Sequence, residues 1–443
     1  MPLSAQPYRA QTVVVTTDPE TVDVAIVGCG AAGLATAIVC GRHAPHLRMA
    51  CLDGATKLGA KILVSGGGRC NVTNRVVTEA DFWGGSNRVV RSVLRAFSAE
   101  QAQEFFSGIG VALHEEEDGK LFPDTNRART VLDALLAEVH RVGATLHAGR
   151  RVTAVRRDGD GFAIDTAEGH RFLARALVLG TGGRSLPKTG SNGGGYEIAR
   201  HLGHGYVETT PALAPMLLDG QMRAALSGVS HPAALMLRGA AGTRIRLEGS
   251  LLWTHFGISG PVALNLSRHW HGAHAAGEDV ETLLSVCPRE TFESLDQWLR
   301  EQASSRPRAF VTTVLATQVP AAIAQAWTSM LRIDDVTMAH VSREDRHRLI
   351  RALVEWPLAV RDSRGYNYAE ATAGGIPLEE IDPARMASRV CPNLYLVGEM
   401  LNVDGRLGGF NFQWAWSSGW VAGRAVARSL SPGPRSHPRP HWP

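Results

Sequence analysis

The sequence predicts an α/β protein in which an N-terminal βαβ unit begins a parallel sheet, and a β-rich insertion that itself carries helices interrupts the chain. Three observations support this. Residues 22–27 (VDVAIV) form an apolar strand, 31–42 read as a helix and 48–53 (RMACLD) as a second strand, which is the order of a parallel βαβ start. From about residue 211 the pattern changes to short strands broken by Pro and Gly, and over 261–340 to helical stretches rich in Trp and Gln. Short strands return near 357–372, then the strand 394–397 (LYLV) and a last helix from about 411, so the chain comes back to finish what it began.

The remaining elements follow in order. Residues 88–106 predict one amphipathic helix, with Arg88, Arg91 and Arg95 on one face, Val89, Val93, Leu94 and Phe97 on the other, and Ser86 or Asn87 as N-cap. A helix at 130–142 leads into a hairpin, 150–156 and 161–166, turned by Asp158-Gly159-Asp160-Gly161. Residues 175–180 (RALVLG) are another buried strand.

The chain has 443 residues, more than the roughly 250–300 a single core sustains. Its 44% hydrophobic and 20% charged content is that of a globular protein with a sizeable core. Net charge is +4, and Lys occurs only at 57, 61, 120 and 188, so the positive charge is nearly all Arg. The six cysteines, Cys29, Cys40, Cys51, Cys70, Cys287 and Cys391, show no CxxC spacing and no cluster with His. They read as small buried thiols in a reducing cytoplasm, with no metal site. No apolar run reaches the ~18 residues a membrane span needs, and the start has no signal-peptide core. The expected localisation is cytoplasmic.

The first chemistry-bearing motif is Gly28-Cys29-Gly30-Ala31-Ala32-Gly33, directly after a strand and opening a helix. Gly28 allows the tight turn, Gly30 lets the backbone approach a pyrophosphate, and Gly33 lets helix and strand pack closely. The helix start offers N–H groups and a partial positive charge. Asp53 follows Gly33 by twenty residues at the end of the second strand, where an acid accepts hydrogen bonds from ribose hydroxyls. This is a Rossmann-like dinucleotide unit.

Three features favour FAD over NAD. The motif stands at the start of a long chain. Gly180-Thr181-Gly182-Gly183 ends a later strand, as the second dinucleotide contact of two-domain flavoproteins does. Leu396-Val397-Gly398-Glu399 places an acid before a Gly-rich loop, where it can meet ribityl hydroxyls. No second GxGxxG is present, so NAD(P)H, if it is the reductant, docks transiently. Residues 61–74 (KILVSGGGRCNVTN) and 405–413 (GRLGGFNFQ) describe backbone held close to a ligand, the second at a helix N-terminus that suits negative charge on a reduced flavin.

At these residues the chain resembles a known family. KILVSGGGRCNVTN, THFGISGPVAL (254–264), ATAGGIPLEEID (371–382) and VGEMLNVDGRLGGFNFQWAWSSG (397–419) resemble signature segments of the BaiN/RdsA-type NAD(P)/FAD-dependent oxidoreductases, over about residues 22–428. The resemblance implies a FAD domain at 21–210 and 366–430, a β-rich insertion at 211–260 and 341–365, and a helical subdomain at 261–340, between tails at 1–20 and 431–443. It implies that Gly66, Gly67, Gly68, Arg69, Gly398, Glu399, Gly408, Gly409 and Asn411 line the FAD. With the motif residues, Lys61, Ser65, Cys70, Asn71, Val152, Phe412 and Gln413 complete the candidate cofactor set.

The family implies hydride transfer without fixing the substrate: uridine in ribosomal RNA, giving dihydrouridine, a small-molecule enone, or, in the oxidase direction, a small amine. A FAD-bearing factor without turnover is the remaining alternative. Saturating a C=C bond needs a proton donor. The candidates are Cys70, His255, Tyr366 and Tyr368, the two tyrosines sharing one face if they lie on a strand. Thr372-Ala373-Gly374-Gly375 looks like a further backbone approach. Arg clusters at 88, 91 and 95, at 150, 151, 156 and 157, and at 343, 346, 348 and 351, with Arg435 and Arg439 in the tail, permit an RNA partner.

Overall fold

The computed structural model describes residues 18–220 and 225–431, which form two compact units. The first holds the described residues up to Gly183, Lys188–Glu208 and those from Gly374 on. The second holds Arg184–Pro187 and Thr209–Ala373. Apart from residues 18–20 and 431, the two expected tails, with Arg435 and Arg439, lie outside the described residues.

In the first unit, strand β1 (Glu20–Val27), helix α1 (Ala31–His43) and strand β2 (Met49–Asp53) make the expected βαβ unit. Five strands run parallel in the spatial order Leu394–Leu396, Arg171–Leu179, β1, β2, Thr145–Ala148. Val24 to Val27 are all buried, on both faces of the sheet, as in a strand covered by helices on each side. The hairpin Val152–Asp158 and Gly161–Thr166 joins antiparallel to Arg171–Leu179. Glu20 is already in β1, where the sequence reading expected tail.

Helix α1 is buried from Ala32 to Gly41. It packs along the last helix, Phe410–Leu430, whose Gly419 brings its backbone so near that an added Cβ would lie 2.6 Å from the Ala32 carbonyl oxygen. The return of the chain after the insertion is thereby locked onto the N-terminal unit.

The second unit is an antiparallel sheet of seven strands in the order Trp356–Leu358, Val280–Ser285, Ser230–Gly239, Arg244–Thr254, Gly257–Ser259, Met216–Leu218, Val360–Ser363. Its core centres on Trp253 and Trp327, edge to face with ring centres 6.3 Å apart. Both indole N–H groups are satisfied, by His231 Nε2 at 3.1 Å and the Ala352 carbonyl at 2.8 Å. The strands Val207–Ala212 and Ala371–Gly375 pair with each other where the chain leaves and re-enters the first unit.

Four expectations need correction. The single helix at 88–106 is two, Asn87–Ala96 and Ala99–Gly108, because Phe97 turns extended to stack on Trp420 and Ser98 caps the next helix with Gln101 in a reciprocal box. The segment 261–340 is not all helical: Val280–Ser285 is an inner strand, paired on both sides and mostly buried. Conversely, Arg343–Val354 is a helix inside a stretch expected to be β-rich, capped by Ser342. The short broken strands before 253 include two long ones, Ser230–Gly239 and Arg244–Thr254. Pro232 is tolerated because the pairing with Val280–Ser285 begins only at Ala234.

Candidate functional site

Four parallel strands of the first unit end side by side. The Gly28 amide donates to the Leu52 carbonyl, the Gly180 amide to Val27 and the Val397 amide to Leu179, all within 2.8–3.0 Å. Turns therefore cluster beyond the carboxyl ends of β1, β2, Arg171–Leu179 and Leu394–Leu396, the place where open parallel sheets receive ligands.

The glycine motif behaves as its chemistry requires. Gly28 has φ +102°, and a Cβ there would lie 2.4 Å from the Gly180 carbonyl oxygen. A Cβ on Gly33 would lie 1.9 Å from the Gly28 oxygen, so strand and helix touch through backbone. Gly30 differs: it caps α1 and has nothing within 4 Å of its Cβ direction. The first-turn amides, those of Ala31, Ala32 and Gly33, have no intrahelical acceptor, and no acid stands in that turn. The open side of Gly30 and these donors fit a pyrophosphate.

Asp53 is held in place by the Cys29 amide at 2.7 Å on Oδ2 and the Ala55 amide at 2.8 Å on Oδ1. Each oxygen keeps a lone pair for a hydroxyl, and the loop fixes the carboxylate in place. Across the strand ends, Gly182 (φ +72°) approaches Glu399 Oε2, which pairs with Lys61 Nζ at 2.5 Å. The turn carrying Glu399 is anchored from the last helix, since Ser418 Oγ accepts from the Gly398 amide at 3.0 Å and Trp414 Nε1 donates to the Gly398 carbonyl at 3.1 Å. Thr181 Oγ1 lies 3.9 Å from Met400 Sδ, Gly183 is buried, and Val152 is half-buried on its edge hairpin.

The second group of loops also comes together within the first unit. Helix α2 (Ala60–Gly68) leaves helical geometry at Ser65, and Gly66, Gly67 and Gly68 have φ between +55° and +85°. Gly67 has open space at its Cβ position and is exposed. Opposite, Gly408 and Gly409 open the last helix, and a Cβ on Gly409 would lie 2.6 Å from Thr73 backbone and 2.9 Å from Asn71 Oδ1. Asn74 Nδ2 ties the two by donating to the Gly408 carbonyl at 3.2 Å. Asn71 Oδ1 is buried without a hydrogen-bond partner. An orphaned acceptor beside a helix N-terminus and an open glycine backbone fits the polar edge of a bound flavin.

Not every candidate side chain points at this cradle. Gln413 is fully buried: its amide oxygen accepts from Thr73 Oγ1 at 2.6 Å and its nitrogen donates to the Phe97 carbonyl and Ser417 Oγ. Asn411 closes its own loop by bonding both backbone groups of Gly405. Arg69 pairs with Glu116 at 2.6 Å and lies over the Phe122 ring. Phe412 stacks on Trp416, with ring centres 5.6 Å apart. These four side chains hold the loops in shape; the Gln413 and Arg69 amides are taken by the Gly409 and Gly66 carbonyls, which leaves the first-turn amides of Asn411 and Phe412 for a ligand.

The proton-donor candidates separate. Cys70, at φ +64°, is fully buried, and burial pushes its thiol up to about 12. His255 is an exposed residue at a hairpin tip of the second unit. Tyr366 and Tyr368 do not share a strand face as expected. They lie on a turn held by Gly365, with Tyr366 Oη donating to Thr209 Oγ1 at 2.8 Å and Tyr368 49% exposed. Thr372 Oγ1 accepts from the amides of Arg184 and Ser185. Sequence reading missed the anchoring role of Trp414 and Ser418, whose i, i+4 spacing in WAWSSG was the available signal.

The sequence from 22 to 425 matches the model of the HI0933-like protein Rossmann domain. The chain belongs to the HI0933-like family. Members of known activity align over nearly their whole length. A ribosomal RNA dihydrouridine synthase of Escherichia coli is 33% identical over 93% of this chain and all of its own. Its counterpart in Haemophilus influenzae is 31% identical, over 91% and 98%. A 3-dehydro-bile acid delta(4,6)-reductase of Clostridium scindens is 30% identical, over 91% of this chain and 98% of its own. This HI0933-like protein is an enzyme of the FAD-dependent oxidoreductase class, with a Rossmann-like fold and an additional β-rich and helical unit. Among the described residues no helix is long and apolar enough to cross a membrane, and no cluster of ligands could hold a metal.

Proposed function

We propose that this protein is a BaiN/RdsA-type reductase that uses NAD(P)H to saturate an activated C=C bond, with uridine in ribosomal RNA as substrate and dihydrouridine as product. The observation that carries the reading is end-to-end similarity to two ribosomal RNA dihydrouridine synthases, 100% and 98% of whose lengths are covered. A small-molecule enone is the second reading, favoured by the bile-acid reductase relative.

FAD, when bound, supplies hydride transfer between the pyridine nucleotide and the substrate. The chain's own residues then have separate tasks. Gly30 and the first-turn amides of α1 would bind the pyrophosphate, and Asp53 the adenosine ribose. Glu399, held by Lys61, would take ribityl hydroxyls. Asn71 and the amides opening the last helix would receive the polar edge of the ring and favour negative charge there. Cys70 keeps its proton at neutral pH because burial opposes the thiolate. Its depth inside the first unit suits packing better than proton delivery. His255 and Tyr368 are the accessible donors.

Anaerobic addition of NADPH to the purified holoenzyme tests the reductase reading: the flavin band near 450 nm should bleach and recover slowly in air. Rapid reoxidation with peroxide release would indicate an oxidase, and an unresponsive flavin a non-catalytic role. Mass analysis of ribosomal RNA from a deletion strain then tests the substrate. Loss of one dihydrouridine, restored by the gene, is expected, and an unchanged profile would leave the enone reading.

A further inference from the structure

The second unit carries an aromatic–arginine stack of its own. Phe256 sits at the tip of the hairpin between Arg244–Thr254 and Gly257–Ser259. The tip is closed by Thr254, whose hydroxyl accepts from the Gly257 amide and donates to the Gly257 carbonyl. Arg364 and Tyr368 stand on the turn that follows Val360–Ser363. That turn is fixed at three points: the Arg364 amide donates to Pro215, the Gly365 amide to Ser363 Oγ, and the Tyr368 amide to the Gly365 carbonyl. The guanidinium carbon of Arg364 lies 3.3 Å from the Tyr368 ring centre and 4.5 Å from that of Phe256. Among the described residues no carboxylate pairs with it. His255, exposed, flanks Phe256 edge-on with ring centres 5.1 Å apart.

Several exposed arginines among the described residues have an acidic partner. Arg91 pairs with Glu79, Arg156 with Asp165, Arg238 with Glu355 and Arg348 with Asp345. Arg364 is held by ring contacts instead, which leave the in-plane N–H fork without a counterion. A fork of this kind matches two oxygens of a phosphate. Tyr368, half exposed beside it, can take a base on its open surface. A ring for a base next to a guanidinium for the neighbouring phosphate is how single-stranded nucleic acid is gripped.

We propose that Phe256, Arg364 and Tyr368 form a binding site for one nucleotide of single-stranded RNA, Tyr368 stacking the base, Arg364 taking the adjacent phosphate and Phe256 helping to hold the guanidinium in place. The assignment rests on the RNA-substrate reading above and adds where the chain holds the strand.

The test is fluorescence anisotropy of a short labelled oligouridylate with the FAD-loaded full chain, at several salt concentrations. Tyr368→Leu and Arg364→Met should each weaken binding about tenfold, and Arg364→Met should lower the salt slope by about one counterion. Tyr368→Phe should bind within about twofold of the wild type, since a phenyl ring stacks as well. Arg364→Lys, with charge but no planar fork, should fall between. Flavin content and melting temperature report folding, and if Arg364→Met is misfolded, Arg364→Lys and the two Tyr368 variants decide. Wild-type binding that Tyr368→Leu and the Arg364 variants leave unchanged overturns the site and spares the RNA reading. A wild type that does not bind the oligomer, while NADPH still bleaches its flavin, overturns the RNA reading and the site with it.

Discussion

Lys61 Nζ and Glu399 Oε2, 338 positions apart in the chain, meet in an ion pair of 2.5 Å, with side chains only 26% and 17% exposed. The pair joins α2, which bears the triple glycine, to the turn beyond Leu394–Leu396, and so couples the two halves of the cofactor cradle. Lys61→Met removes the cation that holds the Glu399 carboxylate, and should weaken FAD binding by about tenfold, the ~1–3 kcal/mol of a charged partner lost from a shielded pair. Flavin fluorescence quenching during titration of the apoprotein measures it. Affinity equal to wild type would show that the pair only joins the two segments.

Gly30 and Gly33 should respond oppositely to alanine. At Gly33 the new Cβ would collide with the Gly28 carbonyl at 1.9 Å, so Gly33→Ala should lower the melting temperature of the apoprotein, by roughly 1–3 kcal/mol of overpacking. At Gly30 there is nothing within 4 Å and φ is −87°, so Gly30→Ala should leave apoprotein melting unchanged and yet reduce FAD uptake. A Gly30→Ala protein that takes up flavin normally would remove the pyrophosphate from that position.

Acid should destabilise the first unit through Asp165. It is 4% exposed, and burial alone would push its carboxyl up. Arg171 at 2.6 Å and Arg156 at 2.7 Å outweigh that and hold it below its ordinary value near 3.8. A carboxyl lowered by folding contributes stability that is fully present above its unfolded-state pKa and is lost as pH falls through the folded one. Melting temperature should therefore fall below about pH 4. Asp165→Asn should melt lower at pH 7 and lose less of its melting temperature than the wild type as the pH falls from there to about 3. A variant with the wild-type pH profile would place the acid sensitivity elsewhere, Glu138 between Arg42 and Arg141 being the next carboxyl of this kind.

All six thiols should be silent in the native protein. Each is buried, and burial pushes those of Cys40, Cys51, Cys70 and Cys287 up to about 12. A thiol-disulfide reagent at neutral pH should label none before unfolding and all six in denaturant. Fast labelling of Cys70 in the folded enzyme would reopen its candidacy as the acid. Cys70→Ala should otherwise retain turnover.

Local pattern alone determined the N-terminal unit. A continuous apolar strand, glycines at three fixed offsets and an acid at the next strand end are short-range signals, and β1, α1, β2 and Asp53 appear where those signals stand. Tertiary structure decided what depends on partners distant in sequence. The break at Phe97 follows from its stacking on Trp420, and the strand Val280–Ser285 from neighbours on both sides that override the helical character around it. The inward turn of Gln413 follows from Thr73 and Phe97, and the pairing of Lys61 with Glu399 from the closing of the last helix on α1. The physical reason is the same throughout: backbone geometry and burial periodicity are written in adjacent residues, whereas the partner of a polar group or an aromatic ring is chosen by which distant segment the fold brings against it.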